Sequence, residues 1–113
     1  MFGGLGNMMG LMKQAKEIKE RMEKLQAELV AREYESQSGG GAVTARINGN
    51  GELLALKIQP DTLKSGDGEL LEDLIRAAVN AAVRRKEETV REEMGRITAG
   101  LNLPGMGGLA PPG

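Results

Sequence analysis

Residues 8–29 read MMGLMKQAKEIKERMEKLQAEL, a segment in which apolar residues recur at alternating intervals of three and four positions. This heptad spacing places apolar side chains along one side of an α-helix. The pattern predicts a helix from about Leu5 to Val30, roughly 40 Å long, which is about the width of a compact domain of this size. We therefore expect the helix to protrude and to pair through an apolar stripe whose packing residues are Leu11, Ile18, Met22, Leu25 and Leu29.

The composition also favours association. The chain has 113 residues, of which 40% are hydrophobic and 27% charged, as is usual for one soluble globular domain. Phe2 and Tyr34 are its only aromatic residues, so the core must consist of smaller aliphatic side chains that each bury less area. A lone subunit would be marginally stable, and we expect a homodimer to supply the missing apolar burial.

Several function classes are disfavoured by what the chain lacks. It contains no His and no Cys, which removes the commonest general base, the commonest transition-metal ligand and the thiol nucleophile. We therefore expect no enzymatic activity, no metal site and no cofactor. No apolar run approaches the ~20 residues needed to span a bilayer, and the start does not resemble a signal peptide, so we expect a cytoplasmic protein without membrane contact.

Alternating apolar residues predict a sheet in the middle of the chain. The first strand covers 33–38, a flexible turn covers 39–41, and a second strand covers 42–47 with Val43, Ala45 and Ile47 on one face. Two Asn-Gly steps at 48–51 then predict a turn. Because the alternation resumes after this turn, the pattern indicates a three-stranded antiparallel meander whose third strand carries Leu54, Leu56 and Ile58.

A second long helix is predicted from Glu69 to about Ile97, with Asp67 as its N-terminal cap. Its alanine-rich middle would permit close approach to a sheet, and Asn80 within it is expected to be a buried hydrogen-bonding group. The fold class is therefore α+β with the order α-β-β-β-α. We expect a single domain over residues 1–100, with 1–7 mobile, followed by a flexible Gly/Pro-rich tail at 101–113.

Basic residues cluster locally although the net charge is only −1. Residues 1–19 carry three lysines and one glutamate, and residues 74–86 carry four basic residues and no acidic one. One interpretation is a solvated helix face, since opposite charges four residues apart, such as Lys13 and Glu17, pair on exposed helices. The other interpretation is that these clusters contact phosphates, which would make binding weak and sensitive to salt.

Several segments follow one another in a distinctive order along the chain. They are the Gly- and Met-rich start followed by LMKQAK at 11–16, AV at 42–43 through ING at 47–49, ELLEDLI at 69–75 with AAVNAA at 77–82, and the Gly/Pro-rich end. By the order of these segments, rather than by any one of them, the chain resembles the YbaB/EbfC family of bacterial nucleoid-associated proteins over nearly its whole length.

This resemblance implies an intertwined, tweezer-like homodimer whose sheets join the subunits and whose long helices project as arms that bind DNA without enzymatic activity. The preferred hypothesis is a nucleoid-associated protein that binds duplex DNA with low sequence specificity and affects nucleoid organisation or gene expression. Its predicted DNA-binding residues are Lys13, Lys16, Lys19, Arg21, Arg84, Arg85, Lys86 and Arg91. The alternative is an adaptor that captures a protein of a replication or recombination machine through Met-rich helix tips, including Met9 and Met12.

Overall fold

The computed structural model describes the backbone of residues 2–101 and the side chains of residues 7–99. It confirms the predicted α+β class and the order α-β-β-β-α, with one additional short α-helix and a single 3₁₀ turn at Gly39–Gly41 between the first two strands. The elements are α1 (Phe2–Ala31), β1 (Glu33–Ser38), β2 (Val43–Asn48), β3 (Leu53–Ile58), α2 (Pro60–Lys64) and α3 (Gly68–Leu101).

The three strands form an antiparallel sheet in the order β1-β2-β3, which is the meander that the sequence pattern predicts. Val43, Ala45 and Ile47 on β2 are fully buried, which confirms the predicted apolar face. The third strand differs in detail, because the pairing shifts between Arg46 and Ile47 and places Leu53 opposite Ile47. Leu54 is the extra residue that this shift leaves without a partner on β2. It interrupts the simple alternation that the sequence predicts for β3.

The core lies between this face of the sheet and α3. Val43 and Ala45 pack with Ala78, while Tyr34 and Ile47 pack with Ala82. Both alanines are fully buried, and their small side chains let the helix backbone approach the sheet closely. Larger side chains surround these contacts and complete the core, namely Ile58, Leu71, Leu74, Ile75, Val79 and Val83.

Asn80 is exposed, so the prediction that it is a buried hydrogen-bonding group is wrong. It lies two residues from both Ala78 and Ala82, and a two-residue step turns about 200° around a helix. The side that carries the two alanines faces the sheet, and Asn80 therefore faces away from it.

The start of α3 confirms the predicted cap, because the Leu70 backbone N–H donates to Asp67 Oδ1 at 3.0 Å. This bond satisfies one of the amide groups left without a partner at a helix N-terminus. The additional helix α2 begins at Pro60, whose fixed φ and missing N–H suit the first position of a helix. The sequence analysis assigned no helix there.

The C-terminal end of α1 is attached to the sheet at the β2–β3 turn. The Gly49 N–H donates to the Val30 carbonyl oxygen at 3.1 Å, and the Tyr34 hydroxyl donates to the Leu29 carbonyl oxygen at 3.2 Å. A Cβ on Gly49 would lie 2.2 Å from the Leu29 oxygen, so only glycine fits this contact without displacement of the backbone.

Burial along the apolar stripe of α1 falls steadily toward the N-terminus. Leu29 is 3% exposed and Leu25 is also buried, whereas Ile18 and Met22 are half-buried. Leu11 is 59% exposed. The single chain therefore covers only the C-terminal part of the stripe that the heptad pattern predicts.

The chain divides into two compact units. One comprises residues 28–91, with the sheet, α2 and most of α3. The other joins residues 1–27 with the last part of α3, from Glu92 onward. The predicted single domain stays a prediction; the tail at 101–113 lies outside the described residues except for Leu101, and the leader at 1–7 lies mostly outside the described side chains.

Candidate nucleic-acid interface

The predicted basic residues of α1 are all exposed. Lys13, Lys16 and Lys19 follow one another at three-residue intervals, so that Lys13 and Lys16 face away from the buried stripe and Lys19 lies at one margin of it. Arg21 is also exposed and lies at the opposite margin, four residues before Leu25. The first three form one row of ammonium groups, which we call the α1 lysine row.

The predicted basic residues of α3 do not share one face. Arg84 and Arg91 are exposed and lie seven residues apart, which is about two helical turns, so they project from the same side of α3. Arg85 instead turns toward the sheet, where its Nη1 donates to the Glu35 carbonyl oxygen at 3.1 Å. Lys86 is half-buried, and its Nζ lies 3.8 Å from the position that a Cβ on Gly51 would occupy.

These contacts give the arginines of α3 two different roles, one in the fold and one at the surface. Arg85 satisfies a backbone carbonyl of the edge strand β1 and thus has a structural role in the fold. Arg84 and Arg91 have no such contact within the described residues and keep their guanidinium groups in solvent. Of the three consecutive basic residues 84–86, only Arg84 is left fully available to an external anion.

Ion pairing within the described residues leaves the candidate cations free. The described pairs join Arg46 to Glu33 at 3.2 Å, Arg76 to Asp73, and Arg96 to Glu93 at 3.2 Å. None of these involves the predicted DNA-binding residues. In the described part of α1, pairs at four-residue spacing such as Lys13 with Glu17 do not close to 4.0 Å.

The solvent-facing side of the sheet holds a second charged area that the sequence analysis did not single out. A shallow depression there is lined by Glu35, Thr44, Arg46, Ala55 and Lys57. Glu35 lies directly opposite Arg46 in the strand register, and Glu33 forms an ion pair with Arg46. Opposite charges therefore balance locally, and this depression is less suited to a polyanion than the α1 lysine row is.

Other kinds of site are not supported by the described side chains. Among them, no group of three or more acidic, His or Cys residues is placed to hold a metal ion. Within residues 2–101, no helix combines the length and the apolar character needed to cross a membrane.

Comparisons with known proteins identify the relatives of this chain and its family. The nucleoid-associated protein of Alkaliphilus metalliredigens is 45% identical over 104 residues, which cover 92% of this chain and 91% of that protein. A nucleoid-associated protein of Clostridium novyi gives the same identity and coverage. The crystal structure of an uncharacterized protein from Helicobacter pylori matches with a TM-score of 0.62 and 26% identity, over 77% of this chain and 91% of that one. Residues 4–101 match the sequence model of the YbaB/EbfC DNA-binding family, and the chain belongs to that family.

Proposed function

We propose that this protein binds duplex DNA without enzymatic activity, as a homodimer of low sequence specificity, and acts at the bacterial nucleoid. The observation that carries the proposal is the α1 lysine row, whose three ammonium groups are exposed and have no described ion-pair partner. Membership of a DNA-binding family and relatives named nucleoid-associated proteins support the same partner.

The binding mode follows from the type of cation. A lysine ammonium is a compact, flexible point charge that suits phosphate oxygens, whereas reading of guanine relies on bidentate contacts. Each phosphate that is neutralised releases counterions into solution. Contacts of this kind position a protein on the duplex but carry little sequence information. We therefore expect salt-sensitive binding that responds weakly to base sequence, consistent with a role in nucleoid organisation or gene expression.

The proposal of a homodimer is supported by an incompletely covered apolar area on β3. Leu53 and Leu56 lie opposite Ile47 and Ala45, which are fully buried, yet they are 49% and 38% exposed. Leu54 beside them is also exposed. Because β3 is an edge strand, a second copy could cover these leucines and extend the apolar core across the subunit boundary.

The uncovered part of the α1 stripe supports association independently. The heptad pattern continues toward the N-terminus through residues such as Met8 and Leu11, which the single chain leaves exposed. Apolar stripes of this length are normally covered by another helix. Lys13 and Lys16 of the α1 lysine row lie on the other side of the same helix, and Lys19 lies at the margin of the stripe. Association through the stripe would therefore leave at least Lys13 and Lys16 exposed and double their number in each particle.

The experiment measures fluorescence anisotropy of a labelled duplex over a range of salt concentrations. For the native protein, log affinity should fall linearly with log salt, by about 0.9 per phosphate contact. Lys16→Gln combined with Lys19→Gln should weaken binding and flatten this slope. The matched control, Lys57→Gln with Lys64→Gln, removes the same charge from exposed positions outside the row and should retain most of the slope.

The possible outcomes are distinct. A slope that both double variants reduce equally would indicate attraction by overall charge and refute a role for the α1 lysine row. Binding by the native protein that does not change with salt would refute phosphate contacts altogether. Strong preference for one duplex among several unrelated sequences would refute the low specificity.

A further inference from the structure

The turn between β2 and β3 contains two successive Asn-Gly steps, Asn48-Gly49 and Asn50-Gly51. An Asn followed by Gly is chemically reactive, because the glycine nitrogen can attack the neighbouring side-chain amide with no Cβ in the way. The two steps have the same sequence but very different surroundings in the folded chain.

Asn48 is held in place by its side chain. Its Oδ1 accepts the backbone N–H groups of Asn50 and Glu52, both at 3.0 Å, and its Nδ2 donates to Glu52 Oε1 at 3.1 Å. The glycine that follows it is equally restricted, since the Gly49 N–H donates to the Val30 oxygen and a Cβ there would collide with the end of α1. Rotation of the Asn48 side chain toward the Gly49 nitrogen requires all these contacts to open.

Asn50 is much less restricted. It is exposed, and within the described residues its side chain makes no hydrogen bond. Gly51 is also exposed and adopts a φ of +80°. Its N–H makes one hydrogen bond, to the backbone carbonyl oxygen of Asn48 at 3.0 Å. Opening of that single turn bond frees both reacting groups.

We propose that Asn50 is a site of spontaneous deamidation in the folded protein and that the fold protects Asn48. The Gly51 backbone nitrogen loses its proton to solvent base and attacks Asn50 Cγ, so that a new C–N bond closes a five-membered imide ring. The bond from Cγ to the side-chain nitrogen breaks, and the nitrogen takes up a proton and leaves as ammonia. Water then opens the ring to give aspartate or isoaspartate. The net change consumes one water, releases one ammonia and involves no oxidation or reduction.

The product places a new carboxylate in the turn next to Lys86, whose Nζ lies near Gly51. An opposite charge at this position lowers the local positive potential. This consequence for DNA affinity rests on the proposed function, whereas the deamidation itself does not. Older protein molecules would therefore carry an additional negative charge beside Lys86, which is one of the predicted DNA-binding residues.

The test follows both asparagines in one experiment. The full-length protein is incubated at mildly alkaline pH and digested with trypsin, which cleaves after Arg46 and Lys57 and yields one peptide that carries both asparagines. Fragmentation by mass spectrometry then assigns the mass gain of deamidation to Asn48 or Asn50. In the folded protein we expect Asn50 to convert faster by about tenfold or more, because each hydrogen bond that must open lowers the population of the reactive conformer.

The internal control is the same incubation in denaturant, where both asparagines precede glycine in an unfolded chain and should convert at comparable rates. Equal conversion in the folded protein, faster conversion of Asn48, or no conversion of Asn50 would each overturn the proposal.

A second measurement tests the effect on DNA. Asn50→Asp should bind the labelled duplex more weakly than Asn50→Gln, a matched variant that keeps the neutral amide. Equal affinity of the two variants, with binding by the native protein intact, would overturn the effect on DNA while the deamidation site stands. Failure of the native protein to bind DNA would instead refute the proposed function and leave the mass-spectrometric result unaffected.

Discussion

Replacement of Gly49 by alanine should strongly destabilise the unit that contains the sheet. An added Cβ would lie 2.2 Å from the Leu29 oxygen and 2.4 Å from the Val30 Cα, and both of these are backbone atoms of α1 that cannot rotate away. Gly49 is not among the glycines with positive φ, so the effect of alanine is steric rather than conformational. The end of α1 must therefore move away from the β2–β3 turn.

The magnitude combines two contributions. Forcing extra volume into a packed contact typically costs about 1–3 kcal/mol. Displacement of α1 also breaks the bond from the Gly49 N–H to the Val30 oxygen, at 3.1 Å, and a net hydrogen bond is worth about 0.5–1.5 kcal/mol. We expect Gly49→Ala to lower the free energy of unfolding by about 2–4 kcal/mol, with a fall in Tm of more than about 10 °C for a domain of this size.

The assay is urea unfolding followed by far-UV circular dichroism at one fixed protein concentration, because association would make the midpoint depend on concentration. Gly95→Ala is the matched control. Gly95 is exposed, lies six residues before the end of α3, and has no atom of another residue beyond its own helical turn within 4 Å of an added Cβ, so alanine there should stabilise by up to about 1 kcal/mol. A free energy of unfolding for Gly49→Ala within about 0.5 kcal/mol of the native value would refute the reasoning.

Three further predictions test the site and the association. Arg84→Gln should lower DNA affinity with little change in stability, whereas Arg85→Gln should lower the free energy of unfolding by about 1 kcal/mol because it removes the bond to β1; the reverse pattern in anisotropy and urea unfolding would contradict the assignment. Leu56→Ser should shift sedimentation from dimer toward monomer, and an unchanged dimer would exclude this part of β3 from the interface. Met9→Ser with Met12→Ser should leave salt-dependent DNA binding intact, and loss of that binding would mean that these exposed side chains contribute to it.

Local patterns in the sequence predicted most of the fold. Strict alternation identified the buried face of β2, since successive side chains of a strand point to opposite sides. Asp67 was recognised as a cap because an acidic side chain before an apolar helix can accept the free N–H groups of the first turn. The predictions failed where the pairing or the exposure of a residue depended on a neighbouring element. The shifted pairing at Leu53 depends on how β3 meets β2, and the exposure of Asn80 depends on which side of α3 meets the sheet.

The candidate site shows the same division. The sequence identified the lysines of α1 as a cluster, and the structure places all three in solvent. It also placed residues 84–86 within one basic cluster at 74–86, and the structure divides these three residues between solvent, the β1 backbone and the β2–β3 turn. Adjacent residues on a helix point about 100° apart, so a run of like charges along the chain is not a patch in space.

The sequence by itself determined the order of the two long helices and the three strands, the buried face of β2, and the supply of cations on the two long helices. These follow from short-range backbone geometry and from the tendency of apolar side chains to avoid water, both of which are readable in the spacing of residues. Only the tertiary structure decided which basic side chains remain free, and which of two identical Asn-Gly steps is protected. Those outcomes depend on contacts between residues far apart in the chain, such as Arg85 with Glu35 and Gly49 with Val30, and no local pattern specifies such contacts.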